Sequence, residues 1–257
     1  MIFRFFKNRR RARVRRQPFP EEWRAHIERN VPYVAMLEPA EQEELEGHIL
    51  VFLDEKTFEG MEGISVDDEM RVTIAAQACI LLLGRRTDFY PNLETIIVYP
   101  AAYVARTLRR GPGGATIESV ETRLGESWSS GQMVLSWDDS LKGAADVRDG
   151  HNVVMHEFAH QLDGEWTGGE GAPRLSERSM YATWASVLGK EFEALTDDME
   201  RHRKTVLDKY GATNPAEFFA VATEAFFERP TALKRKHPEL YDQLRGFYMQ
   251  DPAKRYR

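Results

Sequence analysis

Two histidines four residues apart, His156 and His160, offer a metal-binding pair within the segment VVMHEFAHQLD. On an α-helix this spacing places both imidazoles on one face, one turn apart, where two neutral nitrogens suit Zn²⁺. Glu157 follows the first histidine, so its carboxylate points beside the metal and can take a proton from a water that the metal activates. The H-E-x-x-H pattern therefore predicts a hydrolytic zinc site. The alternative is two core histidines beside a surface glutamate.

The residues around this motif predict a buried helix. No Pro or Gly interrupts residues 152–163, and most positions between the polar ones are apolar. Asp149 is a candidate N-cap, and Gly164 is a candidate for the end of the helix. Asp163, three residues after His160, is placed to orient an imidazole through its free N–H group.

A zinc ion bound by two histidines needs a third protein ligand. The H-E-x-x-H-x-x-G-x-x-H class would need a glycine and a third histidine where this chain has Asp163 and Trp166. The remaining common solution is a glutamate on a later helix. The segment NPAEFF predicts such a helix, with Asn214 as its N-cap. Glu217 and Glu224 lie seven residues apart and can share one face. Spacing leaves both open as the ligand, since Glu217 could equally close a capping box.

Hydrophobic periodicity predicts an α+β fold that is mainly helical. Helical patterns cover residues 40–53, 71–83, 152–163, 179–209, 214–229 and 238–250. Short β-branched segments predict strands at residues 94–99, 116–124 and 132–137. Together these strands predict a small, mostly antiparallel sheet just before the histidine helix.

Length and composition indicate one large domain. The 257 residues leave room for a sizeable core, and 42% of them are hydrophobic. No apolar run approaches the roughly 18 residues of a transmembrane segment. Cys79 is the only cysteine, so an intramolecular disulfide is excluded. These features predict a protein of a reducing, cytoplasmic compartment.

The positive charge is concentrated at the start of the chain. Residues 1–16 hold eight Lys or Arg and no acid, so removing their +8 from the net charge of −6 leaves −14 for the remainder. We therefore predict a basic flexible arm over residues 1–18, with an unknown partner, and a single domain over residues 19–257. A solvated tail is the first interpretation, and a tether to RNA or anionic lipid is the alternative. The acidic body argues against direct DNA binding.

Two segments, HEFAHQLD and YGATNPAEFFAVATEAFF, resemble the Mlc titration factor A family of bacterial zinc peptidases. Both also resemble the catalytic domain of anthrax lethal factor. The first resemblance extends over most of the chain, through IIVYP at residues 96–100, GESW at 125–128, VLSW at 134–137 and QDP near the C-terminus. The basic arm departs from the family pattern. The resemblance implies a zincin-like metallopeptidase domain, with the H-E-x-x-H helix and a later helix that carries the glutamate ligand.

The resemblance also assigns roles to particular residues. It implies that one Zn²⁺ is bound by His156, His160 and Glu217, which favours Glu217 over Glu224, and that Glu157 is the general base. Tyr210, seven residues before Glu217, matches a tyrosine that helps to stabilise the transition state. Without the resemblance, Tyr210 would be interpreted as an aromatic residue that packs at a helix end.

The implied function is hydrolysis of a peptide or protein substrate by a gluzincin-like metallopeptidase, with aminopeptidase activity as a narrower expectation. Residues 132–137 are a hypothetical sheet edge that aligns the substrate backbone. The named family is also associated with binding the transcriptional repressor Mlc, which links it to glucose uptake by the phosphotransferase system. The alternative function is therefore a non-catalytic regulator that sequesters such a repressor.

Overall fold

A computed structural model describes the backbone of residues 2–256 except residues 86–87, 102, 111–115, 124, 129–130 and 165–168. Side chains are described for residues 6–85, 88–101, 131–164 and 169–256. The α-helices are α1 Ile2–Val14, α2 Glu21–Asn30, α3 Pro39–Glu55, α4 Asp68–Ile80, α5 Trp137–Ala145, α6 Val153–Gly164, α7 Met180–Glu200, α8 Pro215–Glu228, α9 Pro230–Lys236 and α10 Pro238–Tyr248. The strands are β1 Thr57–Gly60, β2 Thr95–Tyr99, β3 Tyr103–Arg110, β4 Thr116–Arg123, β5 Gly125–Trp128 and β6 Gln132–Ser136. The predicted α+β class with helices in the majority is confirmed.

The main sheet has the strand order β1-β2-β6-β5. Strands β1, β2 and β6 run parallel, and only β5 pairs antiparallel, with β6. Strands β3 and β4 form a separate antiparallel pair. The prediction of a mostly antiparallel sheet is therefore wrong. The predicted strands at residues 94–99 and 132–137 correspond to β2 and β6, which pair parallel with each other. Strand β1, which was not predicted, also pairs parallel with β2, and α4 is the crossover helix that such parallel neighbours need.

Helix α6 lies between the sheet and α8. Its apolar positions, including Val154, Phe158 and Leu162, are almost completely buried. Phe158 contacts the rings of Phe52 on α3 and of Tyr90 before β2 edge-on, with centroids 5.7 and 4.7 Å away. The face that carries the two histidines turns towards α8 instead. The hydrophobic stripe thus fixes the direction in which the polar residues of α6 point.

Helix α8 is the most deeply buried helix near the site. Every residue from Phe218 to Glu228 is buried. Its aromatic side chains pack with those of α10, as in the stacked pair Phe226 and Tyr248 with centroids 5.6 Å apart. Such packing on several sides leaves α8 little freedom to shift, and it holds the polar side chains of this helix in place.

The basic segment at the start of the chain contains α1, which packs against α3. Arg11 is buried, and its guanidinium donates two hydrogen bonds to Glu55 at 2.6 and 2.7 Å. Sequence reasoning treated residues 1–18 as a flexible arm and did not anticipate a helix with these contacts. The division into an arm and a domain at residue 18 stays a prediction.

Within the described part of the chain, no helix is both long and apolar enough to cross a membrane.

Candidate metal centre

Helix α6 begins at a side-chain cap that sequence reasoning placed three residues too early. The Oδ1 atom of Asn152 accepts a hydrogen bond from the N–H of Met155 at 2.9 Å, so Asn152 is the N-cap. Asp149, the predicted cap, instead accepts from the N–H of His151 at 2.8 Å, within the preceding turn. The predicted end of the helix at Gly164 agrees with the structure.

Helix α8 begins as the sequence predicts. Pro215 occupies its first turn, and the Oδ1 atom of Asn214 accepts from the N–H of Glu217 at 3.0 Å. Because the cap uses the backbone of Glu217, the side chain of Glu217 remains available to turn towards α6. It lies on the same side of the helix as Glu224, two turns further along.

The two helices bring three candidate ligand atoms together. The Nε2 atom of His156 lies 3.2 Å from Nε2 of His160 and 3.0 Å from Oε2 of Glu217, and the last two atoms are 3.3 Å apart. A tetrahedral zinc ion with bonds of about 2.0–2.1 Å spaces its ligands about 3.3 Å apart. The triangle therefore fits the donor spacing of such an ion, and His156, His160 and Glu217 form a group that could hold a metal.

The charges of this group also suit a cation. Burial lowers the pKa of His156, but its hydrogen bonds to Glu217 and Glu224 raise it more, and the pKa lies at about 10. Burial raises the pKa of Glu217, but its hydrogen bonds to the two histidines outweigh that effect and bring the pKa to about 2. Both shifts mean that the acidic groups around the triangle stabilise a positive charge there.

Glu157 occupies the position beside the triangle that the motif predicts. It is buried, and burial raises the pKa of its carboxyl group, although the nearby His156 and His160 act in the opposite direction. A carboxylate with a raised pKa holds a proton more strongly than one in water, as an acid–base group for hydrolysis near neutral pH requires.

Tyr210 lies beside the triangle rather than in the protein core. It is part of a short 3₁₀ helix, Lys209–Ala212, that leads into α8, and 55% of its side chain is exposed. Its ring centroid is 6.1 Å from that of His156. Asp208 fixes the backbone by accepting from the N–H of Tyr210 at 2.7 Å. The structure therefore brings all five predicted site residues to one place, while their roles stay predictions.

Comparison with known proteins points to the same chemistry. The profile of a family described as glucose-regulated metallo-peptidase M90 matches residues 5–249, which is most of the chain. The chain belongs to this family.

Individual relatives agree with the M90 assignment. The chain is 41% identical over 245 residues to an uncharacterized protein of Synechocystis, covering 95% of this chain and 89% of the relative. It is 30% identical over 230 residues to Mlc titration factor A of Klebsiella pneumoniae, covering 88% and 86%. For Mlc titration factor A of Yersinia pestis, the identity is 29% over 233 residues, covering 90% and 85%. The family and the relatives named Mlc titration factor A support a metallopeptidase or a regulator.

In this M90 chain Glu224 supports the histidine that faces Glu217. Its Oε1 atom accepts a hydrogen bond from Nδ1 of His156 at 2.7 Å, which leaves Nε2 to point into the triangle. Its Oε2 atom accepts from the backbone N–H of Asn152 at 2.6 Å. A carboxylate on the second ring nitrogen is the arrangement that orients metal-binding histidines. Sequence reasoning weighed Glu224 only as a ligand or a surface residue. The signal that could have found it was its position two turns after Glu217.

A third glutamate extends this contact between the helices of the M90 site. The Oε1 atom of Glu228 accepts from Nδ2 of Asn152 at 3.1 Å, and its Oε2 atom accepts from the N–H of Gly150 at 3.1 Å. Burial is the main reason why the pKa of Glu228 is raised, to about 9. Gly150 has a φ of +83°, and a Cβ there would lie 2.8 Å from Cδ of Arg229, so a larger residue would strain the backbone and displace the Arg229 side chain.

Asp163 has another partner than the predicted imidazole. Its Oδ2 atom accepts from the N–H of Gly171 at 2.7 Å, and the indole N–H of Trp184 donates to the carbonyl of Gly171 at 3.1 Å. Gly171 has a φ of +74°, and a Cβ there would lie 2.5 Å from the carbonyl oxygen of Pro215. Asp163 therefore holds the backbone of Gly171 against the start of α8.

Proposed function

We propose that this metallopeptidase-family protein is a zinc-dependent peptidase with one Zn²⁺ per chain, bound by His156, His160 and Glu217. The observation that carries the proposal is the triangle of ligand atoms, with sides of 3.0, 3.2 and 3.3 Å. Two imidazoles and one carboxylate are a frequent ligand set for a catalytic zinc ion, which keeps a further position open. The chain would thus be a gluzincin-like enzyme.

When bound, the zinc ion supplies a Lewis acid that lowers the pKa of a water and polarises a carbonyl group. Glu157 is the general base: its carboxylate takes a proton from the attacking water and passes it to the nitrogen of the leaving amine. Burial raises the pKa of Glu157, which favours uptake of the proton from the water. Glu224 keeps the ring of His156 in the orientation that its role requires.

Tyr210 is proposed as a hydrogen-bond donor to the oxygen that becomes negative when the peptide carbonyl is attacked. Its ring lies beside that of His156, and its side chain is more than half exposed, so a substrate can reach it. A donor at this position stabilises the transition state more than the bound substrate, because the negative charge develops only during the reaction.

The backbone of the substrate is expected to align along β5, not β6. The hypothesis that residues 132–137 form the aligning edge is wrong, because β6 is paired with β2 on one side and with β5 on the other. Strand β5 stands at the end of the strand order and packs against α6. An extended peptide can add to such an edge by main-chain hydrogen bonds.

The test is Glu157→Gln, which keeps the shape of the side chain and removes its function as a base. Hydrolysis of a peptide library, followed by mass spectrometry, should fall about 10²–10⁴-fold while the zinc content stays at one per chain. Glu59→Gln is the matched control, since Glu59 is an exposed side chain on β1. Full activity in Glu157→Gln, or no cleavage of any peptide by the zinc-loaded wild type, would refute the proposal.

The narrower proposal, aminopeptidase activity, has its own test. Peptides with a free N-terminal amine should be cleaved, and the same peptides should resist cleavage after N-acetylation. Equal cleavage of both sets would identify an endopeptidase instead.

A second candidate function rests on the relatives named Mlc titration factor A. We propose that the chain also binds an Mlc-type transcriptional repressor, which would place its work in the cytoplasm. Size-exclusion chromatography with purified repressor should show a complex, and Glu157→Gln should form it equally well if binding is independent of hydrolysis. If neither the wild type nor Glu157→Gln forms a complex with the repressor, the regulator function is excluded.

A further inference from the structure

Residues 206–214, which we call the Tyr210 segment, lead into α8. The 3₁₀ helix in the middle of this segment packs against both α7 and α8. A Cβ on Gly211 would lie only 3.2 Å from Cδ2 of Leu195 and 3.3 Å from Cβ of Val221, so the backbone passes close to both helices. This packing fixes one side of the segment that carries Tyr210.

Arg229, directly after α8, joins the start of the Tyr210 segment to the turn before α6. Its Nη1 atom donates a hydrogen bond to the carbonyl oxygen of Val206 at 2.7 Å. Its alkyl stem lies against Gly150, where a Cβ would be 2.8 Å from Cδ and 3.5 Å from Cγ of Arg229. Because Gly150 has no side chain, the stem of Arg229 can lie there and still reach Val206.

A second contact joins the same two parts of the chain nearer to Tyr210. The Nε2 atom of His151 lies 3.6 Å from Oδ2 of Asp208. The other oxygen of Asp208, Oδ1, accepts from the N–H of Tyr210 at 2.7 Å. The side chains of His151 and Asp208 are 61% and 38% exposed, and an ion pair so exposed contributes little. The partly buried hydrogen bond of Arg229 is therefore the stronger of the two contacts.

We propose that Arg229 is a positioning residue for Tyr210, an inference that rests on the proposed role of Tyr210 as a donor in hydrolysis. Arg229 fixes the start of the Tyr210 segment, four residues before Tyr210, so that the hydroxyl group points to the carbonyl under attack. More than half of the Tyr210 side chain is exposed, so the backbone that carries it contributes to the direction of the ring. Such a role needs only a small displacement, because a shift of about 1 Å in a catalytic group can cost about a hundredfold in rate.

The experiment compares full-length, zinc-loaded variants on the best substrate found in the peptide library. Arg229→Met removes the guanidinium and keeps an unbranched side chain that can pack against Gly150. The value of kcat should fall about tenfold or more, while KM and zinc content stay nearly constant. Arg255→Met is the matched control and should keep its kcat, since Arg255 is also partly buried and donates to Tyr33 and Gln250 instead. If Arg229→Met does not fold, Arg229→Lys, which keeps a charged donor without the guanidinium fork, replaces it under the same criteria.

Tyr210→Phe separates positioning from a general effect on the fold. If Arg229 acts through the hydroxyl group of Tyr210, Arg229→Met should lower kcat much less in the Tyr210→Phe background than in the wild type. Equal factors in the two backgrounds overturn the proposal, because Arg229 would then act independently of that hydroxyl group.

NMR of the tyrosine rings provides a measurement that needs no hydrolysis. With ring carbons labelled, the signal of Tyr210 is the one that Tyr210→Phe removes. Arg229→Met should shift or broaden this signal and leave that of Tyr181 on α7 unchanged. An unchanged Tyr210 signal overturns the proposal, whatever the activity. A shifted signal supports the positioning of Tyr210 by Arg229 even where Tyr210→Phe keeps its kcat, and the proposed catalytic role of Tyr210 is then what fails.

Discussion

The two ends of helix α8 carry the same residue type in opposite surroundings. At the first turn the side chain of Glu217 is 18% exposed and contacts only two imidazoles among its described ion-pair partners. At the other end Glu224 and Glu228 are buried and accept hydrogen bonds from backbone N–H groups. At the open end, Glu217 is suited to bind a metal ion in place of its hydrogen bonds to the imidazoles. At the buried end, Glu224 and Glu228 are suited to hold the start of α6 in place.

This difference shows that burial and partners, not residue type or spacing, decide which glutamate can act. The two oxygens of Glu224 accept short hydrogen bonds from the His156 ring and the backbone of Asn152, so they are directed at these donors rather than at the triangle. The Oε2 atom of Glu217 instead faces the two imidazole nitrogens of the triangle. Sequence spacing alone could not separate Glu217 from Glu224, but the partners can.

The largest effect is expected at the open end, from Glu217→Ala. Loss of a ligand should cost more zinc affinity than the roughly 10–100-fold that loss of a supporting partner costs, and hydrolysis should disappear with the metal. Zinc content after dialysis and competition with a chelator measure this. Glu193→Ala, an exposed site on α7, is the control and should keep its zinc. If Glu217→Ala keeps zinc and Glu224→Ala loses it, the two ends have the reverse roles.

Tyr210→Phe removes one hydroxyl group from the approach to the open end. The value of kcat should fall about ten- to a thousandfold with KM nearly constant, since the donor acts where negative charge develops. Zinc content should stay normal. Tyr181→Phe is the control, because the Tyr181 hydroxyl accepts from the N–H of Leu175 and serves the fold. An unaltered kcat in Tyr210→Phe would show that Tyr210 only packs at the helix end.

At the buried end, Glu224→Gln should weaken zinc binding without abolishing it. The amide presents an N–H group to a partner that is itself a donor, so either His156 or Asn152 loses its acceptor. We expect zinc affinity to fall about 10–100-fold and stability to fall by about 1–3 kcal/mol. Chelator competition and urea unfolding measure the two effects. Zinc affinity equal to that of the wild type would remove Glu224 from the site.

The smallest effect is expected from Glu228→Gln, and it depends on pH. The pKa of Glu228 is raised from 4.5 to about 9, so the folded state holds its proton where the unfolded state has released it. The contribution of Glu228 to stability therefore falls as pH rises through this interval and is constant outside it. Glutamine cannot ionise, so urea unfolding of the variant should show a weaker decline across the interval. An identical decline would assign the pH dependence to other groups.

The sequence was most informative where a local pattern determines the structure. Asn214 and Pro215 define the start of α8 through contacts within one turn, and the structure agrees. The same logic was available for α5, which was missed: Ser136 caps it by accepting from the N–H of Asp139 at 3.3 Å, within a readable S-x-x-D pattern.

Features that depend on distant partners could not be predicted in this way. The parallel sheet depends on the pairing of β2 with β1 on one side and with β6 on the other, which no pattern inside a single strand reveals. Likewise, in the structure Asn152 rather than the predicted Asp149 caps α6. Asn152 is buried, and its backbone and side-chain N–H groups also donate to Glu224 and Glu228. The role of Glu224 has the same origin, because its acceptors are used by residues 68 and 72 positions away.

The separation of 61 residues between His156 and Glu217 also has a consequence for the order of folding. Closing a chain segment of that length costs about 4 kcal/mol of entropy beyond a constant. The H-E-x-x-H motif lies within one helix, yet the three candidate ligand atoms meet only when α8 has docked against α6. A chain cut before residue 214 keeps the whole motif and loses the site. The motif that is recognisable in the sequence is thus a local feature, whereas the candidate metal centre depends on tertiary packing.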